Sequence, residues 1–339
     1  MFSDAAVADL LQSAGQRAFP SRVRPRVFDL SRVSDGWECD VFRFTLESGA
    51  SEAPVREPLI LRIYQGDLAQ RKASTEFDVM RRLRTTGYPV PEVLSLVVDD
   101  SPLQQPFVIM RKIEGPVLGN VIEKEVGDRQ VALLDQFCGL VHQLHLLDWQ
   151  TVAPDQIRAR TTEPLGRWIA EAEATLSRFP TRAFNPAIDW IEARRSTIRP
   201  APLSLIHQDF HPWNVLLDSR GAAYVIDWTQ VDLSDYRLDL AWTLLLVRAI
   251  VGSAARDVLL NEYERLQGSQ VEDFPFFEAI AATKRLASIY LSVTAGAESL
   301  GMRPGAEAGM LENPRHLLAA RALLHESTGL RIPEIESLV

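Results

Sequence analysis

Cysteine is nearly missing from this 339-residue sequence; Cys39 and Cys138 are the only two. Neither a disulfide framework nor a CxxC metal motif can be built from them, which suits a reducing compartment. Long apolar runs are missing as well. The stretch LAWTLLLV at 240–247 is eight residues long, whereas a membrane-crossing helix needs about 20. The N-terminal stretch MFSDAAVADLLQSAGQRAF carries acids and polar groups where a signal peptide needs an apolar core. Positive charge is in deficit. Lys and Arg total 36 against 45 Asp and Glu, a net charge of −9, so a nucleic-acid partner gains no electrostatic support. There is no GxGxxG, no fixed-period repeat and no low-complexity tract. These absences point to a cytoplasmic enzyme-sized protein, a monomer or homodimer, with no nucleic-acid or membrane partner.

What is present is an ordinary globular composition, 46% hydrophobic and 24% charged, on a length that suggests about two domains. Strand patterns occupy Val27–Leu30, Val41–Leu46 and LILRIY (59–64), with two more in EVLSLVVDD and PFVIMRKIEG. A helix over 69–87 stops at Gly87, with Pro89 and Pro91 beyond it. The polar segment 48–58 reads as a loop. From about residue 128 the apolar spacing turns helical. Helices are predicted near 128–148, 164–178, 184–197, 237–250, 254–267, 274–297 and 315–326. The stretch LSLIHQDFHPWNVLLDSRGAAYVIDW interrupts them with a strand, a loop and a hairpin turned near Gly221.

That interruption concentrates polar chemistry. His207, Asp209 and Asn214 fall within HQDFHPWN, and Asp227 closes the β-branched run thirteen residues later. A carboxylate and an amide on one loop, with a second carboxylate beyond a hairpin, suit a magnesium-phosphate site, since Mg²⁺ takes hard oxygen ligands. Taken singly, each also reads as a turn or cap residue.

A small sheet domain, then a helical one carrying H-x-D-x-x-x-x-N and a later hydrophobic-Asp, resembles the protein-kinase-like fold. The variant HxDxHPxN…IDW resembles its aminoglycoside phosphotransferase and choline kinase branch. The likeness runs from about residue 25 to 250. It implies an α+β, two-lobed protein: an N-terminal antiparallel sheet lobe with one main helix, residues 1–111, and a larger mainly helical lobe, residues 112–339. It implies a kinase that uses ATP or GTP with Mg²⁺ to phosphorylate a hydroxyl of a small molecule, aminoglycoside-, choline- or sugar-like.

On that resemblance Asp209 is the catalytic carboxylate, and Asn214 and Asp227 hold the metal. Arg62 stands where the family has a phosphate-contacting lysine, a departure that keeps the charge but changes its geometry. Glu76 is its partner on the following helix. Ser34 and Gly36, in VSDGWECDV, belong to the loop over the phosphates. Met110 and Lys112 belong to the hinge that meets the purine edge. His207 and Asp239 buttress the catalytic loop, with Asp235 as a second support. His142 and His145 pack, as a Leu-His does there in the family. Trp149, Trp168, Trp190, Trp228 and Trp242 suit either aromatic walls for a choline-like cation or a sugar, or the core. The acids of DWTQVDLSD suit an amine-bearing acceptor. A protein kinase is disfavoured, since no activation segment or A-P-E follows Asp227. A nucleotide-binding pseudokinase is the alternative from another class.

Overall fold

Alternation along the first hundred residues sets up a sheet with one face for a helix and another for charge. The computed structural model describes residues 3–20, 22–35, 39–49, 54–160, 163–300 and 305–338. The chain divides into two compact units, 1–115 with 216–230, and 116–215 with 231–339. The first long stretch thus ends four residues beyond 111, and the hairpin segment 216–230 joins it.

In the first unit, helix α1 (Asp4–Ala14) precedes strands β1 (Arg26–Asp35), β2 (Cys39–Ser48) and β3 (Val55–Tyr64). Helix α2 (Ala69–Thr85) and strands β4 (Val93–Val97) and β5 (Phe107–Arg111) follow. The strands form an antiparallel sheet in the order β1-β2-β3-β5-β4. Because side chains alternate across a strand, Phe42, Phe44, Leu59, Leu61, Phe107 and Ile109 share one face and pack with Val7 and Leu11 of α1. Full burial of each such side chain stabilises the fold by about 1.5–3 kcal/mol. β3 begins at Val55, inside the expected polar loop, because Val55 pairs with Ser48. α2 stops as its sequence predicts. Gly87 takes φ +81°, and the Tyr88 N–H reaches back to Leu83 C=O at 3.2 Å, closing the helix end.

In the second unit, α3 (Asp128–Leu146), α4 (Pro164–Leu176) and α5 (Asn185–Arg195) precede strand β6 (Leu203–Ile206). The chain then returns to the first unit, where the short strands Val215–Leu217 and Ala223–Val225 form the expected hairpin, turned by Asp218, whose carboxylate accepts from the Arg220 and Ala222 N–H groups. Next comes β7 (Asp232–Asp235), which pairs antiparallel with β6. Helices α6 (Tyr236–Ile250), α7 (Ser253–Gln267), α8 (Phe274–Ala295) and α9 (Arg315–Thr328) complete the second unit. The arrangement is the expected α+β one, a sheet-based first part and a mainly helical remainder. Among the described residues, no helix is long and apolar enough to cross a membrane.

Candidate active site

The first unit gathers three of the predicted residues. Arg62 alternates to the β3 face opposite Leu61 and is buried. Its Nε lies 3.2 Å from Glu76 Oε2, and its Nη2 donates to Asp227 Oδ1 at 2.9 Å. Glu76, wholly buried on α2, also accepts from the Tyr64 hydroxyl and, at 3.0 Å, from the Trp228 N–H. Burial pushes the Glu76 carboxyl up against the pull of Arg62. Burial works to lower the Arg62 pKa, but Glu76 and Asp227 outweigh it, and Arg62 stays cationic. One buried cation therefore ties together two carboxylates that lie far apart in sequence. Asp227 adopts φ +69°, a left-handed backbone uncommon outside glycine and held only where surroundings enforce it. Its side chain is 39% exposed, so this carboxylate, unlike Glu76, is open to an incoming ligand.

The other nucleotide-side expectations fare differently. Gly36 lies outside the described residues. Ser34 is a β1 residue opposite Val41. Met110 is buried in β5, paired with Ile60. The Lys112 N–H is taken by Pro58 C=O at 3.1 Å.

The second unit holds the HQDFHPWN loop. β6 delivers it, and α6 clamps it from one face, because Asp239, Trp242 and Thr243 recur at i, i+3 and i+4. Asp239 accepts the backbone N–H of His207 at 2.9 Å and of Gln208 at 2.7 Å. Thr243 Oγ1 donates to Phe210 C=O at 2.7 Å. Trp242 Nε1 donates to Asp209 Oδ1 at 3.0 Å. Gln208 is held at φ +65°; the two N–H bonds to Asp239 are what sustain this strained turn. Asp239 is in turn 3.2 Å from His145 Nε2, whose Nδ1 lies 2.8 Å from the Tyr263 hydroxyl. His145 thus packs, as expected, but through a buried polar chain rather than apolar contact alone.

Asp209 Oδ2 is 3.5 Å from His211 Nε2. Burial alone would raise the Asp209 pKa, but the bonds from His211 and Trp242 outweigh it and hold the carboxyl well below the usual range. Asn214 turns its amide NH₂ to Asp209 C=O at 2.9 Å, which points its amide oxygen away from that bond. In the second unit Asn214 thus keeps an amide oxygen, and in the first Asp227 keeps an open carboxylate; each is a hard oxygen donor. Among the described residues no cluster of three or more His, Cys, Asp and Glu gathers for any other kind of metal centre.

One reading needs correction, and the tryptophans divide between their two alternatives. Asp235 does not support the loop; it caps α6 through the Arg237 N–H at 3.0 Å and pairs with the Arg237 guanidinium at 2.7 Å. Trp228 is fully buried, edge-on to Tyr88, and belongs to the first unit's core. Trp190 stacks on Phe276 beneath Arg194. Of the five tryptophans considered, Trp168 and Trp242 line a cleft of the second unit, together with Gln208, Asp232 and Lys284. Thr243 and Lys284 were not singled out from sequence. Helical spacing from Asp239 points to Thr243, and a lone lysine in the apolar run of α8 points to Lys284.

The phosphotransferase enzyme family matches residues 29–278. Acyl-CoA dehydrogenase family member 10 of Mus musculus is 26% identical over 182 residues, covering 50% of this chain but 16% of the relative. The chain thus spans under a fifth of the length of this curated relative. Among solved structures, a thermostable mutant of aminoglycoside phosphotransferase APH(4)-Ia, in ternary complex with ADP and hygromycin B, superposes with a TM-score of 0.60. Its identity is 18%, over 94% of this chain and 98% of that one. A choline kinase from Streptococcus pneumoniae gives 0.59 at 13% identity, over 94% and 99%. At such identities these structures establish a shared fold. With the family match spanning most of the sequence and the loop built as described, the chain belongs to the phosphotransferase enzyme family.

Proposed function

We propose that the chain is a small-molecule kinase that moves the terminal phosphoryl group of ATP or GTP, with Mg²⁺, to an acceptor hydroxyl. The observation that carries this reading is the position of Asp209. It is a carboxylate kept ionised by Trp242 and His211, next to a cleft whose wall includes its neighbour Gln208 and that same Trp242.

In this reading the acceptor hydroxyl donates its hydrogen bond to Asp209. Its oxygen attacks the γ-phosphorus, the bond from phosphorus to the bridging oxygen breaks, and the nucleoside diphosphate departs with that electron pair. The hydroxyl proton passes to Asp209. A carboxylate with so low a pKa is a weak base, so its task is to orient the hydroxyl and take the proton late. A loose phosphoryl transition state requires no more. Bound Mg²⁺ would neutralise charge on the phosphates, with Asn214 and Asp227 as its protein ligands. Arg62 would hold phosphate oxygens while Glu76 fixes its direction. Ser34 and Gly36, and the backbone of Met110 and Lys112, remain the candidates for the phosphate loop and the purine edge.

The test is label transfer. The full chain is incubated with γ-labelled ATP, Mg²⁺ and hydroxyl compounds of several classes, and products are separated by chromatography. The reading expects a labelled acceptor that disappears on chelation of Mg²⁺. Label appearing only as inorganic phosphate, whatever compound is added, would contradict it.

A further inference from the structure

The cleft beside Asp209 has an unusual distribution of committed and uncommitted charge. Asp232 is paired with Arg167 at 2.9 Å and Arg160 at 3.4 Å. Asp239 is saturated by two backbone N–H groups and His145. Glu171, 57% exposed, lies 3.6 Å from Arg160. Asp209 has Trp242 and His211. Every carboxylate around the cleft thus already faces a cation or an N–H donor.

Lys284 does not share in this pairing. It lies on α8, where the only other charged side chains are Glu278, paired with Arg256, and Arg285. Its Nζ stands 4.5 Å from the centroid of the Trp242 ring. Asp209 and Lys284 therefore use the same indole, one its N–H and the other its face. Among the described residues, no ion pair or hydrogen bond engages Lys284. Next to it, Arg285 Nε is buried without a hydrogen-bond partner. Burial lowers the pKa of Lys284 while the field of Asp209, Asp239 and Glu171 draws it back up; an anion brought to Nζ would favour its charged form further. Asp232 offers the complementary feature, since its Oδ1 is buried and unpartnered. With two guanidiniums on Asp232, that oxygen suits a neutral O–H donor better than an ammonium.

Building on the kinase reading, we propose that the acceptor is an anionic polyhydroxy compound, bearing a carboxylate or phosphate that Lys284 receives, and that cationic amino alcohols and aminoglycosides are not its substrates. The cleft's spare donor is a cation and its spare acceptor fits a hydroxyl, so an amine-bearing acceptor would find no uncommitted carboxylate there. Lys284 is then a specificity-determining residue, distinct from the Asp209 machinery.

Two matched quartets test this. The three-carbon set is glycerate, glycerol 3-phosphate, glycerol and 3-aminopropane-1,2-diol. The six-carbon set is gluconate, glucose 6-phosphate, glucose and glucosamine. Binding to the full chain is measured calorimetrically with Mg²⁺ and a non-hydrolysable ATP analogue, and transfer is measured with labelled ATP. The proposal expects an anionic member of a set to bind, and to be phosphorylated, at least about tenfold better than its neutral and ammonium counterparts. Carboxylate against phosphate then identifies which anion is used. Lys284→Gln should remove that preference by raising the acceptor KM about tenfold, with the ATP KM within about twofold, and Lys284→Arg should retain it. A preference for the neutral or ammonium members, a preference unchanged in Lys284→Gln, or no binding of any anion overturns the proposal. Lys284-dependent anion binding with no transfer to any member counts against the kinase reading, and with it against an anionic acceptor, leaving Lys284 as an anion-binding residue only. Transfer to the amines in preference keeps the kinase reading and overturns the anionic acceptor.

Discussion

Asp239 illustrates how a single side chain decides the shape of the catalytic loop. Its carboxylate accepts two consecutive N–H groups, from buried His207 and half-buried Gln208, and lies beside buried His145 at the end of β6. Removing it strands both donors away from water, and each unsatisfied group costs about 1–3 kcal/mol. Asp239→Ala should therefore lower stability by about 3 kcal/mol or more, read as a drop in urea midpoint at unchanged slope. A loss under about 0.5 kcal/mol, the level of an ordinary surface substitution, would mean the loop does not depend on it. The polar character of Asp239 and its neighbour spacing were legible in the sequence, as was its role as a receiver of backbone N–H groups. Asp235 looked equivalent from sequence. It differs because β7 ends on it, so its carboxylate meets the first turn of α6 instead of the loop.

Elements explain which residues could not be sorted from sequence. A strand edge, a helix stop and a hairpin turn are local events, and Gly87, Gly221 and the 3.6-residue spacing of α6 announced them. The fate of the tryptophans is not local. Trp228 became core because Glu76, 152 residues away, takes its N–H, while Trp242 faces a cleft because α6 turns that side toward β6. The start of β3 was hidden for the same reason, since only pairing with β2 makes Val55 a strand residue. Close packing between elements gives a direct prediction. A Cβ on Gly119, in the one-turn helix Leu118–Ile122, would lie 2.5 Å from the Trp213 ring of the HQDFHPWN loop. That ring is no flexible side-chain end, so either the helix or the loop must shift. Gly119→Ala should cost about 1–3 kcal/mol and reduce transfer by displacing the loop. A melting temperature and activity equal to wild type would show the contact to be loose.

At the scale of the whole molecule, the first unit is discontinuous. Residues 216–230 return to a unit that the chain left at residue 115, and the Arg62 cluster fastens them there through Asp227 and Trp228. Arg62→Ala leaves Glu76 buried without its cation and releases Asp227. Breaking such a pair costs about 3–5 kcal/mol, so the variant should be markedly less stable by chemical denaturation and weaker in Mg-nucleotide affinity. Near-normal values in both would remove Arg62 from the site. The motif residues and their clustering within each unit were legible because phosphoryl transfer constrains residue type and spacing. The cleft beside the loop was not, since it is built from α4, β7, α6 and α8 by contacts with no local signature.

The central claim is that Asp209 positions a hydroxyl for phosphoryl transfer. The most direct measurement compares wild type with Asp209→Asn in two assays on the same folded protein: Mg-nucleotide affinity, and transfer from labelled ATP to a saturating acceptor. Asn keeps a hydrogen-bonding side chain for Trp242 and is an equally good turn residue, so the loop should survive. The account predicts unchanged nucleotide affinity with transfer reduced about 10²–10⁴-fold. A loss of less than about threefold, far below the contribution of a positioned base, would contradict it and leave Asp209 as a turn residue.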